Sequence, residues 1–87
     1  MARKVTVYST RYCPFCSRAK ALLTSRKIAF EEIDLTHDAQ TREKISSQTG
    51  WTTVPMIFIG DEFVGGFDDL EALDRQGQLQ AKVDNQS

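Results

Sequence analysis

Cys13-Pro14-Phe15-Cys16 holds both thiols of the chain, and their spacing suits thiol–disulfide exchange. In that chemistry a thiolate attacks a disulfide sulfur to form a mixed disulfide, and a second thiol nearby resolves it. The pair stands where a strand pattern, Lys4-Val5-Thr6-Val7-Tyr8-Ser9, gives way to a helical one. Pro14 suits a first helical position. Cys13 then falls at a helix N-terminus, where unpaired N–H groups and the positive end of the helix dipole favour a thiolate over a thiol. Cys13 is the candidate nucleophile, and Cys16, one turn inward, the candidate resolving thiol.

Other uses of these residues fare worse. A structural disulfide between positions three apart would close too small a loop to stabilise much. Zinc wants four ligands, and beyond the two cysteines the chain offers only His37. A c-type haem would need His where Ser17 stands. No metal is expected, and His37 reads as a solvated loop residue.

The elements that must position the thiols follow from hydrophobic period and turn residues. After the strand 4–9, Phe15, Ala19, Leu22 and Leu23 fall on one face of a helix that should end near Lys27. Residues 30–35 again read as a strand. Residues 38–49 read as a weakly amphipathic helix, stopped by Gly50, with Ile45 as its one large apolar contact. Pro55-Met56-Ile57-Phe58-Ile59, the turn Gly60-Asp61 and Glu62-Phe63-Val64 predict a hairpin. Asp68 followed by Glu71 predicts a capping box opening a third helix that Gly77 closes. Residues 78–83 could add a single helical turn before a frayed polar end at 84–87. The order βαβαββα predicts an α/β fold, a mixed four-stranded sheet with helices on both faces. A chain of 87 residues is long enough for one hydrophobic core, so residues 1–87 are expected to form a single domain.

Charge is unevenly placed although the net charge is only −1. Residues 1–27 carry +7 with no acid, and the remainder carries −8. The basic segment encloses both cysteines and could lower a thiol pKa or attract an anionic substrate. The near-zero total gives no reason to expect a nucleic acid or membrane partner. No apolar run approaches the roughly 20 residues of a membrane span. The N-terminus lacks the pattern of a secretory signal, so a cytoplasmic location is expected.

Tyr12-Cys13-Pro14-Phe15-Cys16, Thr53-Val54-Pro55 and Gly65-Gly66-Phe67-Asp68-Asp69-Leu70 resemble, in order and separation, the three signature segments of the glutaredoxin family. The resemblance implies a thioredoxin fold and a monomer that uses glutathione as co-substrate, with no tightly bound cofactor. It implies reduction of protein–glutathione mixed disulfides through Cys13, and of some protein disulfides through Cys13 and Cys16. It further implies a cis Val54–Pro55 peptide facing the thiols, and a glutathione site over Phe15, Thr53, Val54, Pro55, Gly66, Phe67 and Asp68. In that site the Val54 backbone would pair with the cysteinyl unit and Asp68 with the γ-glutamyl ammonium, while Gly65 and Gly66 allow close approach. The family commonly carries Lys at the position of Thr10, so Arg11 and Gln48 become the candidates for the glycine carboxylate. Phe15 replaces the more usual Tyr.

Trp51 reads as a packing residue at the rim. Two other functions remain open at this stage: a thioredoxin-like hydrogen donor reduced by a flavoprotein, and an iron–sulfur carrier in which two chains and two glutathiones hold a cluster, which Pro14 is expected to hinder.

Overall fold

Alternation in the first strand puts Val5, Val7 and Ser9 on one side and Thr6 and Tyr8 on the other, and that split organises the molecule. The computed structural model describes residues 3–84. In chain order it contains β1 (Val5–Ser9), α1 (Pro14–Ser25), β2 (Phe30–Asp34), α2 (Ala39–Thr49), β3 (Met56–Ile59), β4 (Glu62–Gly65), α3 (Phe67–Arg75) and α4 (Leu79–Asp84). The turn expected at 78–83 is a short helix of its own, with Leu79 and Val83 both buried. The polar end read at 84–87 lies, beyond Asp84, outside the described residues.

The strands stand in the order β2-β1-β3-β4. β1 runs parallel to β2, with Val5 opposite Phe30, and antiparallel to β3, with Val5 opposite Ile59. β3 and β4 form the expected hairpin, with a register irregularity between Ile57 and Phe58. A parallel pair needs a crossover, and α1 supplies it on the face carrying Val5, Val7, Ile57 and Ile59. There Ala19 and Leu23 of α1, Leu70 of α3, and Leu79 and Val83 of α4 complete a fully buried aliphatic core. On the opposite face, Leu35, Met56 and Ile45 of α2 form a smaller core ringed by half-buried aromatic side chains.

Helix ends show where local signals were sufficient. α2 is capped as its residues dictate: the Asp38 carboxylate accepts from the Thr41 N–H at 3.1 Å, and Gly50 ends the helix at φ 74°. α1 stops at Ser25, short of the predicted end. Lys27 takes the left-handed conformation (φ 59°) that usually falls to glycine, while the Ile28 N–H returns to the Leu23 carbonyl at 2.9 Å. The capping box read at Asp68 and Glu71 is displaced. Gly66 is the N-cap of α3, and the Asp69 carboxylate reaches back to accept from the Gly66 N–H at 3.1 Å.

The uneven charge is largely neutralised by folding. Arg3 pairs with Glu62, Lys4 with Glu31, Arg11 with Asp34, Lys20 with Glu32 and Arg26 with Asp74. Most of the basic N-terminal segment thus answers acids from the rest of the chain.

Candidate active site

Cys13 is the N-cap of α1. Its sulfur accepts the Cys16 backbone N–H at 3.2 Å, so one of the orphan donors of the helix start is aimed at the sulfur. The Cys13 thiol in turn donates to the Val54 carbonyl at 3.5 Å. The Val54–Pro55 peptide in the loop before β3 is cis, as the resemblance implies.

The two thiols have unlike surroundings. Cys13 is partly exposed, whereas Cys16 is 1% exposed and packed on the helix face shared with Ala19 and Leu23. Burial, reinforced by the hydrogen bond with Cys13, pushes the Cys16 thiol up to about 12. A backbone hydrogen bond from Thr10 and the charge of Lys20 act in the opposite direction. At neutral pH, then, Cys16 is a protonated, inaccessible thiol behind an accessible one.

Beside Cys13 lies a groove of about 360 Å³ lined by Phe15, Trp51, Thr53, Val54, Pro55, Gly66, Phe67, Asp68 and Asp69. Three chain segments distant in sequence meet here: the start of α1, the loop before β3 and the start of α3. A larger hollow of about 540 Å³ lies at the other end of the sheet, between Lys27, Phe30 and Val83. Neither hollow is lined by a cysteine itself, but only the smaller one is lined by Val54, which accepts from the Cys13 thiol, and by Phe15 from between the two cysteines, so the chemistry identifies the smaller one.

Seven of the nine expected glutathione-contact residues line the groove. Arg11 and Gln48 do not. The Arg11 guanidinium lies 3.6 Å from the Asp34 carboxylate, and its backbone N–H donates to the Thr36 hydroxyl at 2.9 Å. Gln48 is exposed on α2. Among the described residues, the only charged ones lining the groove are acidic, Asp68 and Asp69.

Asp69, which belongs to the third signature segment, and Trp51, read in the sequence as a packing residue at the rim, also line the groove. Asp69 is fixed by its bond to Gly66, and Gly65, at φ 122°, has no room for a Cβ against that carboxylate. Trp51 packs edge-on to Phe63, with ring centroids 5.7 Å apart. It approaches so closely that a Cβ on Gly66 would stand 3.2 Å from the indole. The glycine pair, expected to admit a peptide, is thus already required by the protein's own packing. The Trp51 indole N–H is buried without a hydrogen-bond partner among the described residues.

The family model for Glutaredoxin matches residues 5–64. The chain is 47% identical over 75 residues to glutaredoxin 3 of Escherichia coli K12, covering 86% of this chain and 90% of that one. The chain belongs to the glutaredoxin family. Membership places it among the thiol–disulfide oxidoreductases. Similarity to the Pseudomonas aeruginosa glutaredoxin is 46% identity over 77 residues, 88% of this chain and 92% of the relative.

Solved structures agree on the thioredoxin-type fold. The Brucella melitensis glutaredoxin superposes with a TM-score of 0.86 at 40% identity, covering 95% of this chain and 90% of its own. A buckwheat glutaredoxin–glutathione complex superposes at 0.87 and 30% identity, covering 91% and 74%. Among the described residues, no helix is long and apolar enough to cross a membrane.

Proposed function

We propose that this chain is a glutathione-dependent reductase of protein–glutathione mixed disulfides, and of some protein disulfides, acting as a single-domain monomer in the cytoplasm. The observation that supports it most is the placement of the Cys13 sulfur. It is held by the helix start of α1 at 3.2 Å and by Val54 at 3.5 Å, beside a groove that ends at the N-terminus of α3.

The Cys13 thiolate attacks the glutathionyl sulfur of the substrate. The substrate's S–S bond breaks, and its own sulfur leaves as a thiolate that takes up a proton. A second glutathione, as thiolate, attacks the glutathionyl sulfur on Cys13, releasing glutathione disulfide and the Cys13 thiolate. In the groove, the backbone of Val54 is suited to the cysteinyl unit. The exposed Asp68 can meet the γ-glutamyl ammonium, and the free N–H groups opening α3 its carboxylate. The solved buckwheat complex with glutathione supports this choice of ligand.

The test is an assay with glutathione, glutathione reductase and a small glutathione mixed disulfide. Cys13→Ser should lower turnover at least about 100-fold, while Cys16→Ser keeps most deglutathionylation and loses most reduction of protein disulfides. A folded Cys16→Ser protein inactive toward the mixed disulfide would overturn the monothiol route.

A further inference from the structure

The dithiol route asks for a thiolate from Cys16, a residue buried where the charged form is disfavoured. When Cys16 attacks Cys13–S–S–R, a Cys13–Cys16 disulfide forms. The bond to R breaks, and R leaves as a thiolate that takes up the proton given up by Cys16. Whatever stabilises negative charge at Cys16 speeds this step.

The structure places one cation where it can do so. Lys20 follows Cys16 by four residues on α1, so the two side chains share a helix face one turn apart, roughly 5–6 Å between their Cβ atoms. Lys20 does not wave in solvent: its ammonium donates to the Glu32 carboxylate of β2 at 2.7 Å. The same carboxylate oxygen accepts from the hydroxyl of Ser9 at 2.7 Å. Ser9 is 1% exposed and is the sole buried polar side chain among the described residues. It immediately precedes Thr10, whose backbone bonds the Cys16 thiol.

We propose that Lys20 is a positioning residue for the second half of the dithiol route, a cation anchored by Glu32 and Ser9 that favours the thiolate form in which Cys16 attacks. This rests on the reading of Cys16 as the resolving thiol given above.

The charged groups around the cluster fix the sign of each substitution. Cys16 faces Cys13 and Lys20, and Glu32 faces Lys20 and, more remotely, Asp34. Glu32 is itself held below the usual carboxylate range by the bonds from Lys20 and Ser9, which makes it an anchor and a poor proton acceptor. Removing the cation should raise the barrier to thiolate formation, and removing its counter-charge should lower it. A structural bridge would respond alike to the loss of either partner.

The experiment compares two activities, deglutathionylation and protein-disulfide reduction, over pH 6–9 in Lys20→Met, Lys20→Arg and Glu32→Gln. In Lys20→Met, disulfide reduction at neutral pH should fall about 5- to 10-fold and its pH profile should move upward, with deglutathionylation within about 2-fold of wild type. Lys20→Arg should restore most of the loss, and Glu32→Gln should raise disulfide reduction about 2-fold or more. Equal loss of both activities in Lys20→Met, no restoration by Arg, or a change of the same sign in Lys20→Met and Glu32→Gln overturns the inference. Should Cys16→Ser retain protein-disulfide reduction, the assignment of Cys16 as resolving thiol fails first, and this inference with it.

Discussion

The two faces of the sheet are closed in different ways. On one, helices α1, α3 and α4 converge on Val5, Val7, Ile57 and Ile59, and every member of that core is at most 5% exposed. On the other, α2 contributes Ile45 alone to a buried trio with Leu35 and Met56. The remaining cover is aromatic and half-buried: Tyr8 lies edge-on to Phe58, Phe58 stands 5.1 Å from Phe63, and Phe63 meets Trp51. The site straddles the two. α1, with Cys16 buried in its inner face, belongs to the tight aliphatic side, while the loop carrying Trp51, Val54 and Pro55 belongs to the aromatic side. A rigid wall thus carries the thiols, and a more adaptable wall faces whatever binds beside them.

The largest effect should come from emptying a site in the tighter core. Leu23→Ala should lower unfolding free energy by about 3 kcal/mol, because packed neighbours on three helices cannot collapse into the gap. Ile45→Ala should lose about 2 kcal/mol, since the half-exposed aromatic ring around it can relax. Denaturant midpoints of the two variants measure the contrast, and equal losses would mean that both faces are packed alike.

Next comes a pH dependence confined to the tight side. Cys16 stands at about 12 in the folded protein against an ordinary 9.0. Folding therefore favours the neutral thiol, and the associated stability is present in full below pH 9 and lost as pH rises toward 12. The slope should reach up to about 1.4 kcal/mol per pH unit. Cys16→Ala should flatten that alkaline decline in urea melts at stepped pH. An unchanged slope would show that groups elsewhere govern it.

The smallest effect is expected on the aromatic side. The Trp51 N–H is buried without a partner among the described residues, so Trp51→Phe should relieve an unmet donor and stabilise the protein by about 1 kcal/mol. A net loss as large as that of Ile45→Ala would show that the indole's packing outweighs its orphaned N–H, and the aromatic wall would then be tighter than it looks.

Sequence by itself determined what depends on near neighbours along the chain. The period of Val5–Ser9, the proline after Cys13, the Asp38 cap and the Gly50 stop all act within one strand or one helical turn, and each element they announce is present. The motif order was likewise enough to name the fold and family.

Tertiary structure decided the rest, because the deciding partner lay far away in the chain. Spacing could not show that Arg11 stands 3.6 Å from Asp34 of the next strand and outside the groove lining. The sequence places the basic segment around the thiols, but not the partners of its charges: five of its residues meet acids from β2, β4 and α3, and one of these, Lys20, is held on the helix face of Cys16. Asp68 looked like the capping partner of Glu71, but the cap is Asp69 bonding back to Gly66, in a turn whose glycines are pinned by Asp69 and Trp51. The cluster of Ser9, Lys20 and Glu32 joins two strands and a helix that no local pattern connects. Spacing along a chain specifies local geometry. Which charge is neutralised, which thiol is buried and which residues share a groove are settled only when the sheet brings distant segments into contact.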